Sequence, residues 1–85
     1  MTLFTVIIPC YNAAASLEQT LATLRAQSLE DWEAILVDDG SIDATPEILR
    51  EVACQDHRFR ILHQENSGPS IARNAALPFS RGLNI

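Results

Sequence analysis

Three features of the sequence predict an α/β fold in which three parallel strands alternate with helices. First, the runs over 4–8 and 32–37 are apolar and rich in β-branched residues. That is the composition of strands buried on both faces of a helix-covered sheet. Second, the segments between them repeat apolar residues at helical spacing. Third, each run stops at turn-forming residues, which gives the order strand, helix, strand, helix, strand, helix of a parallel sheet with crossover helices.

The first strand is expected over 4–8, ended by Pro9, which has no N–H for a central ladder. Cys10-Tyr11-Asn12 then forms a loop. A helix over 14–27 places Leu17, Leu21 and Leu24 on one face. Ser16 and Gln19 have capping-box spacing, and Asn12 is an alternative cap. Arg25 suits the carboxyl end of the helix dipole. Polar residues over 28–31 lead into the second strand, 32–37. After a turn over 40–44, Thr45-Pro46-Glu47 reads as a helix start: a capping threonine, proline at the first helical position and an acid in the first turn. Ile48, Leu49, Val52 and Ala53 form its buried face, and it ends near 55–56. A third strand is expected over 59–63, a loop over 64–69, and a helix over 70–77 with Ile71 and Ala75 on one side. Pro78 stops or kinks that helix. Residues 80–85 read as a helix end and a strand beginning, so the chain is expected to be the opening portion of a larger domain.

Eighty-five residues suit one small domain of marginal stability. The 47% hydrophobic content argues against disorder. A net charge of −5 argues against a nucleic-acid footprint. All six basic residues are arginines, and the missing lysine excludes both a P-loop and a lysine Schiff base. Cys10 and Cys54 match no CxxC or zinc spacing and read as free, buried thiols, in keeping with a reducing compartment. The N-terminus lacks the basic region and cleavage site of a signal peptide. No apolar run approaches the roughly 20 residues of a membrane span.

Three loops converge on the carboxyl edge of the sheet, where open α/β sheets bind ligands. They are Pro9-Cys10-Tyr11-Asn12, Asp38-Asp39-Gly40-Ser41 and Asn66-Ser67-Gly68-Pro69. They supply a ring, two carboxylates, an asparagine and a glycine, and Arg73 on the next helix adds a cation. The set suits a nucleotide: Tyr11 packs on a base, a carboxylate accepts from a base N–H, and Arg73 pairs with phosphate. Asp38 and Asp39 are adjacent on a strand, so they point to opposite faces. Asp39, bordering Gly40, is expected to face the ligand and Asp38 the structure beneath. Two plainer readings stay open: both acids serving only the turn, and Tyr11 as simple packing. Asp43 reads as a turn-capping acid, and His57 and His63 as surface residues apart from this edge. No GxGxxG occurs, so the dinucleotide fingerprint is absent.

These motifs resemble the N-terminal part of a family 2 glycosyltransferase, a group with the GT-A fold. The match runs through Val6-Ile7-Ile8-Pro9-Cys10-Tyr11-Asn12 and the Leu17 helix. It continues in Trp32-Glu33-Ala34-Ile35-Leu36-Val37-Asp38-Asp39-Gly40-Ser41 and in Asn66-Ser67-Gly68-Pro69-Ser70-Ile71-Ala72-Arg73-Asn74. The resemblance implies a partial Rossmann-like GT-A nucleotide-binding unit. The implied activity is transfer of a sugar from a nucleotide diphosphate donor, most often UDP-linked, to an acceptor hydroxyl in cell-envelope polysaccharide biosynthesis. It implies that Pro9 and Tyr11 line the base pocket, with Asn12 beside them, and that Asp39 contacts uracil. It also implies that Asp38 supports the site, and that Gly68 with its loop and Arg73 closes over the nucleotide.

In the family, a Mg²⁺ or Mn²⁺ ion binds an Asp-x-Asp motif just beyond the point that Gly82-Leu83-Asn84-Ile85 reaches, and a general base lies farther on. Neither motif is present, so this chain is expected to be a fragment without activity of its own. No catalytic or metal residue is assigned in it. The implied location is the cytoplasm, at the inner membrane face when full length. The rival readings are a nucleotide-binding module without chemistry and a non-catalytic remnant. A phospho-acceptor receiver domain also carries paired acids after a strand, but the missing lysine counts against it.

Overall fold

A computed structural model of the chain describes residues 4–26 and 31–84, with backbone only for Leu83 and Asn84. The expected helix end at Gln27, the connection over 28–30 and Ile85 lie outside the described residues. The elements are β1 (Phe4–Cys10), α1 (Ala14–Arg25), β2 (Trp32–Asp39), α2 (Thr45–Gln55), β3 (Phe59–Gln64) and α3 (Pro69–Ala76). A 3-10 turn (Leu77–Phe79) and a short β4 (Leu83–Asn84) follow. The strands form one parallel sheet in the order β3-β2-β1-β4. The GT-A-like expectation of three parallel strands alternating with helices is met, and the strand beginning at the end of the chain is β4.

The alternation of side chains along each strand divides the core in two. Cys10, Ala34 and Leu36 meet Leu17 and Leu21 of α1 and Leu49 and Val52 of α2 on one face. Ile7, Ile35 and Val37 meet Ala72 and Ala76 of α3 on the other. Every residue of β2 is buried, since it has strands on both sides and helices on both faces. The chain crosses the sheet once, from β3 through α3 to β4 on the far side of β1. The order therefore reverses beside β1, and ligand crevices form at such reversals.

Four expectations are corrected. Pro9 does not end β1; it pairs in register with Val37. Phe4 N–H donates to the Asp31 carbonyl at 2.9 Å, so even-numbered amides of β1 face β2 and odd-numbered ones face β4. Among the described residues β4 pairs with Phe4 and Thr5, so no described ladder bond falls on that side at position 9. The inward face of α3 is Ala72 and Ala76; Ile71 is 55% exposed and Ala75 is also exposed. Small side chains let the helix backbone lie close on the sheet. Cys54 is exposed, and only Cys10 is a buried thiol. Burial, with the charge of Asp38 beside it, pushes the Cys10 thiol up to about 11, so it stays protonated and unreactive. Finally, Thr45 does not cap its own helix: its hydroxyl accepts the Ala13 N–H of the α1 start at 2.9 Å.

At the opposite end of the sheet, Glu33 is only 3% exposed yet charged. Burial alone would raise its pKa, but hydrogen bonds from Thr5 and from the Arg81 backbone and side chain hold it below the ordinary glutamate value. Thr5 Oγ1 donates to Glu33 Oε2 at 2.7 Å and accepts the Gly82 N–H at 3.0 Å, tying the approach to β4 onto β1. In the turn before β3, Arg58 lies 4.0 Å from the Trp32 ring centroid and donates to Asp56 at 2.7 Å. These bonds from the Arg58 side chain draw the Asp56 pKa down to about 2. Groups with depressed folded-state values stabilise the fold above their unfolded values, and that stability is lost as pH falls through the folded ones. The urea midpoint should therefore hold at neutral pH and drop steadily from about pH 4 toward pH 2. Glu33→Gln should show a shallower drop. A midpoint flat across that range would remove these carboxylates from the stability of the fold.

Candidate functional site

A cleft of about 560 Å³ opens at the carboxyl ends of β1 and β2, lined by Pro9, Tyr11, Asp39, Asn66, Gly68 and Pro69. Three loops build it, and hydrogen bonds between them fix its shape. Asn12, in the left-handed conformation at φ 47, joins the first two. Its N–H donates to Ser41 Oγ at 3.0 Å, and its Oδ1 accepts the Ile42 N–H at 2.9 Å. Asp43 extends the clamp, accepting from Ala14 N–H at 3.2 Å and Thr45 N–H at 2.9 Å. The Thr45 bonds and then the Ala14 bond hold its pKa below the usual aspartate value. The α1 start is thus capped from the loop after β2, not by Ser16 and Gln19. Asp43 is the turn-capping acid its position suggests.

Asp39 joins the second loop to the third. Its Oδ1 accepts from Gln64 Nε2 at 2.7 Å and Ser67 N–H at 2.8 Å, and its Oδ2 accepts from Gly68 N–H at 3.0 Å. The Gln64 bond, with the Ser67 and Gly68 amides, keeps its pKa below the usual aspartate value. A carboxylate has about four acceptor positions, so one on Oδ2 is left for a donor in the cleft. Asn66 Nδ2 donates to the Asp39 carbonyl at 3.1 Å, closing the same wall. Gly68, at φ 96, caps α3 and turns the chain into it.

Of the residues singled out from the sequence, Pro9, Tyr11, Asp39 and Gly68 line the cleft together. Asn12, Asp38 and Arg73 are not in its lining. Asn12 fixes the neighbouring backbone, and Asp38 lies on the opposite face of β2. Arg73 is exposed on α3. Tyr11 is 52% exposed, a ring face open for stacking beside a carboxylate that can accept from a planar heterocycle's N–H. The sequence reading missed His63 and Gln64. In the β2–β3 register Asp38 faces His63 and Asp39 faces Gln64. His63 does not stand apart from this edge: its Nδ1 lies 3.1 Å from Asp38 Oδ2. The signal was positional, since both residues end β3 as the two acids end β2.

A divalent ion needs converging oxygen or nitrogen ligands. Among the described residues no three His, Cys, Asp or Glu side chains converge. The two adjacent acids point apart and are engaged with separate partners. The described residues therefore do not fit a metal ion.

Comparison with known proteins agrees with this geometry. Residues 5–83 match the model of "Glycosyl transferase family 2". The chain is 41% identical over 83 residues to the uncharacterized glycosyltransferase EpsJ of Bacillus subtilis, covering 98% of this chain and 24% of that protein. It is 39% identical over 79 residues to the minor teichoic acid biosynthesis protein GgaA of the same organism, covering 88% of this chain and 18% of that one. Staphylococcus aureus TarS, residues 1–349 in complex with UDP, superposes with a TM-score of 0.85 at 29% identity, over 98% of this chain and 26% of its own. The mannosyltransferase PcManGT of Pyrobaculum calidifontis, in complex with GDP-Man and Mn²⁺, gives 0.87 at 30% identity, over 95% and 25%. The chain spans between 22% and 33% of the length of the first three curated relatives it matches. By fold, by motif and by a family match over nearly its whole length, the chain belongs to glycosyltransferase family 2.

Proposed function

We propose that this chain is the nucleotide-binding, N-terminal part of a family 2 glycosyltransferase domain and holds a nucleotide diphosphate sugar for transfer to an acceptor hydroxyl. The observation that carries the reading is the meeting of Tyr11, Asp39 and the Asn66–Pro69 wall in one cleft at the strand carboxyl ends. Tyr11 and Pro9 pack on the base, and Asp39 accepts from a base N–H through the free position on Oδ2. Gly68 brings the α3 start to the nucleotide, and Arg73, in the last turn of that short helix, pairs with phosphate oxygens. Asn12 and Asp38 hold the loops beneath. The TarS complex favours UDP as the nucleotide, and relatives such as GgaA favour a cell-envelope polysaccharide as acceptor.

The Mn²⁺ in the PcManGT complex supports divalent metal use in the family. Among the described residues no ligand set fits such an ion, and none is assigned to deprotonate an acceptor. The chain alone is therefore expected to bind the donor without transferring its sugar. No helix among the described residues is long and apolar enough to cross a membrane. Work at the cytoplasmic membrane face, with anchoring elsewhere, is part of the same proposal.

Calorimetric titration of the chain with UDP, and with UDP-sugars in parallel with a UDP-release assay, tests this. Saturable heat without release is the expected result. Folded protein that gives no heat with UDP, GDP or their sugars would overturn the binding assignment. Release of UDP would overturn the assignment of the chain as non-catalytic.

A further inference from the structure

The two acids that end β2 are each bonded to the β3 residue opposite, but of the two only Asp39 lines the cleft. The Asp38–His63 pair lies on the other face of the sheet. Asp38 is 5% exposed. An ionised carboxylate can only accept, so His63 Nδ1, 3.1 Å from Asp38 Oδ2, carries the proton and donates. The other Asp38 oxygen accepts the Ser41 N–H at 3.1 Å. Ser41 Oγ in turn accepts the Asn12 N–H at 3.0 Å, and Asn12 Oδ1 takes the Ile42 N–H at 2.9 Å. Asn12 follows Tyr11, whose ring lines the cleft.

This is a continuous chain of hydrogen bonds from the end of β3 to the backbone that presents the ring. Its buried member is Asp38, and a buried charge deprived of one partner is costly to leave unpaired. The nearby Cys10 offers no substitute, because its weak S–H donor already lies 3.5 Å from the Ile8 carbonyl.

We propose that His63 is a positioning residue for the nucleotide cleft. It fixes Asp38 and, through Ser41 and Asn12, the orientation of Tyr11; this rests on the nucleotide reading given above. His63 does not line the cleft, and its side chain is 52% exposed. Its substitution therefore alters the relay without emptying the core.

Three forms of the full chain test it: wild type, His63→Phe and His63→Asn. Phenylalanine keeps a planar ring and removes the donor; asparagine restores an N–H near the position of Nδ1. The readouts are UDP affinity by calorimetry and amide hydrogen exchange at Asn12 and Ser41 by NMR. His63→Phe should weaken UDP about tenfold and speed both amides about tenfold, with Ile35 and Val37 unchanged. His63→Asn should return both readouts to within about threefold of wild type. His63→Ala gives the same comparison without a ring if the Phe variant does not fold. Equal affinity and exchange in wild type and His63→Phe, or failure of His63→Asn to rescue, would overturn the proposal. If the wild type binds no nucleotide, the functional reading fails by itself. The exchange at Asn12 and Ser41 still decides the relay: faster in His63→Phe supports it, unchanged refutes it.

Discussion

Asp39→Asn should weaken both UDP and free uridine by at least about tenfold, the largest loss of any single substitution in the cleft. The substitution keeps shape and removes charge. Three donors converge on the carboxylate: Gln64 Nε2, Ser67 N–H and Gly68 N–H. An asparagine amide has one acceptor atom and one donor atom. If its oxygen keeps Gln64 and Ser67, its NH₂ meets the Gly68 N–H, donor against donor. If it flips, the NH₂ meets Gln64 and Ser67. Either orientation loosens the loop after β3 and displaces the cap of α3. It also removes a negative charge from a helix N-terminus, where the dipole favours one. A base N–H directed at Oδ2 loses its acceptor in the first orientation as well. Uridine without phosphates isolates the base contribution, and exchange at Ser67 and Gly68 reports the loop. Uridine affinity equal to wild type would take Asp39 out of base recognition even if the loop loosens.

The same carboxylate shows how far the sequence could be read. The apolar run before Asp38 and Asp39 identified a strand buried on both faces, and β2 is buried throughout. The rule of opposite faces separated the two acids correctly: Asp39 joins the cleft wall and Asp38 lies beneath. What the sequence hid was the partners. Gln64 and His63 meet the acids only because β3 lies beside β2 in one particular register, and register is a property of the assembled sheet. The helix caps were hidden for a related reason. Local spacing nominates Ser16 and Gln19, but Thr45 and Asp43 reach the α1 start from about thirty residues away. Pro9 misled because proline was judged against a central strand. Among the described residues β4 pairs with Phe4 and Thr5 of β1, and position 9 lies outside that pairing. The face of α3 misled because hydrophobicity favoured Ile71, whereas the α3 residues that pack with Ile35 and Val37 are Ala72 and Ala76.

Gly40→Ala should destabilise the fold by about 3 kcal/mol or more, and with it abolish a measurable cleft. Gly40 has φ 72, and a Cβ there would stand 2.7 Å from the Asn66 backbone nitrogen. That contact is with backbone, so no rotamer change relieves it. Asn66 is itself tied to the Asp39 carbonyl through Nδ2 at 3.1 Å, so its segment cannot retreat without breaking the wall. Gly68 is the internal control. At φ 96 a substituted residue is also strained, but no atom lies within 4 Å of its Cβ. Gly68→Ala should therefore cost only the backbone term, about 1–3 kcal/mol. In a domain of this size the difference decides whether the native state is populated at all, since total stability is small. Urea unfolding of the two variants beside wild type makes the comparison. Gly40→Ala should have the lower midpoint, or no transition. Equal midpoints would mean that the loops after β2 and β3 can separate freely, and that the cleft wall is not held by the contact at Gly40.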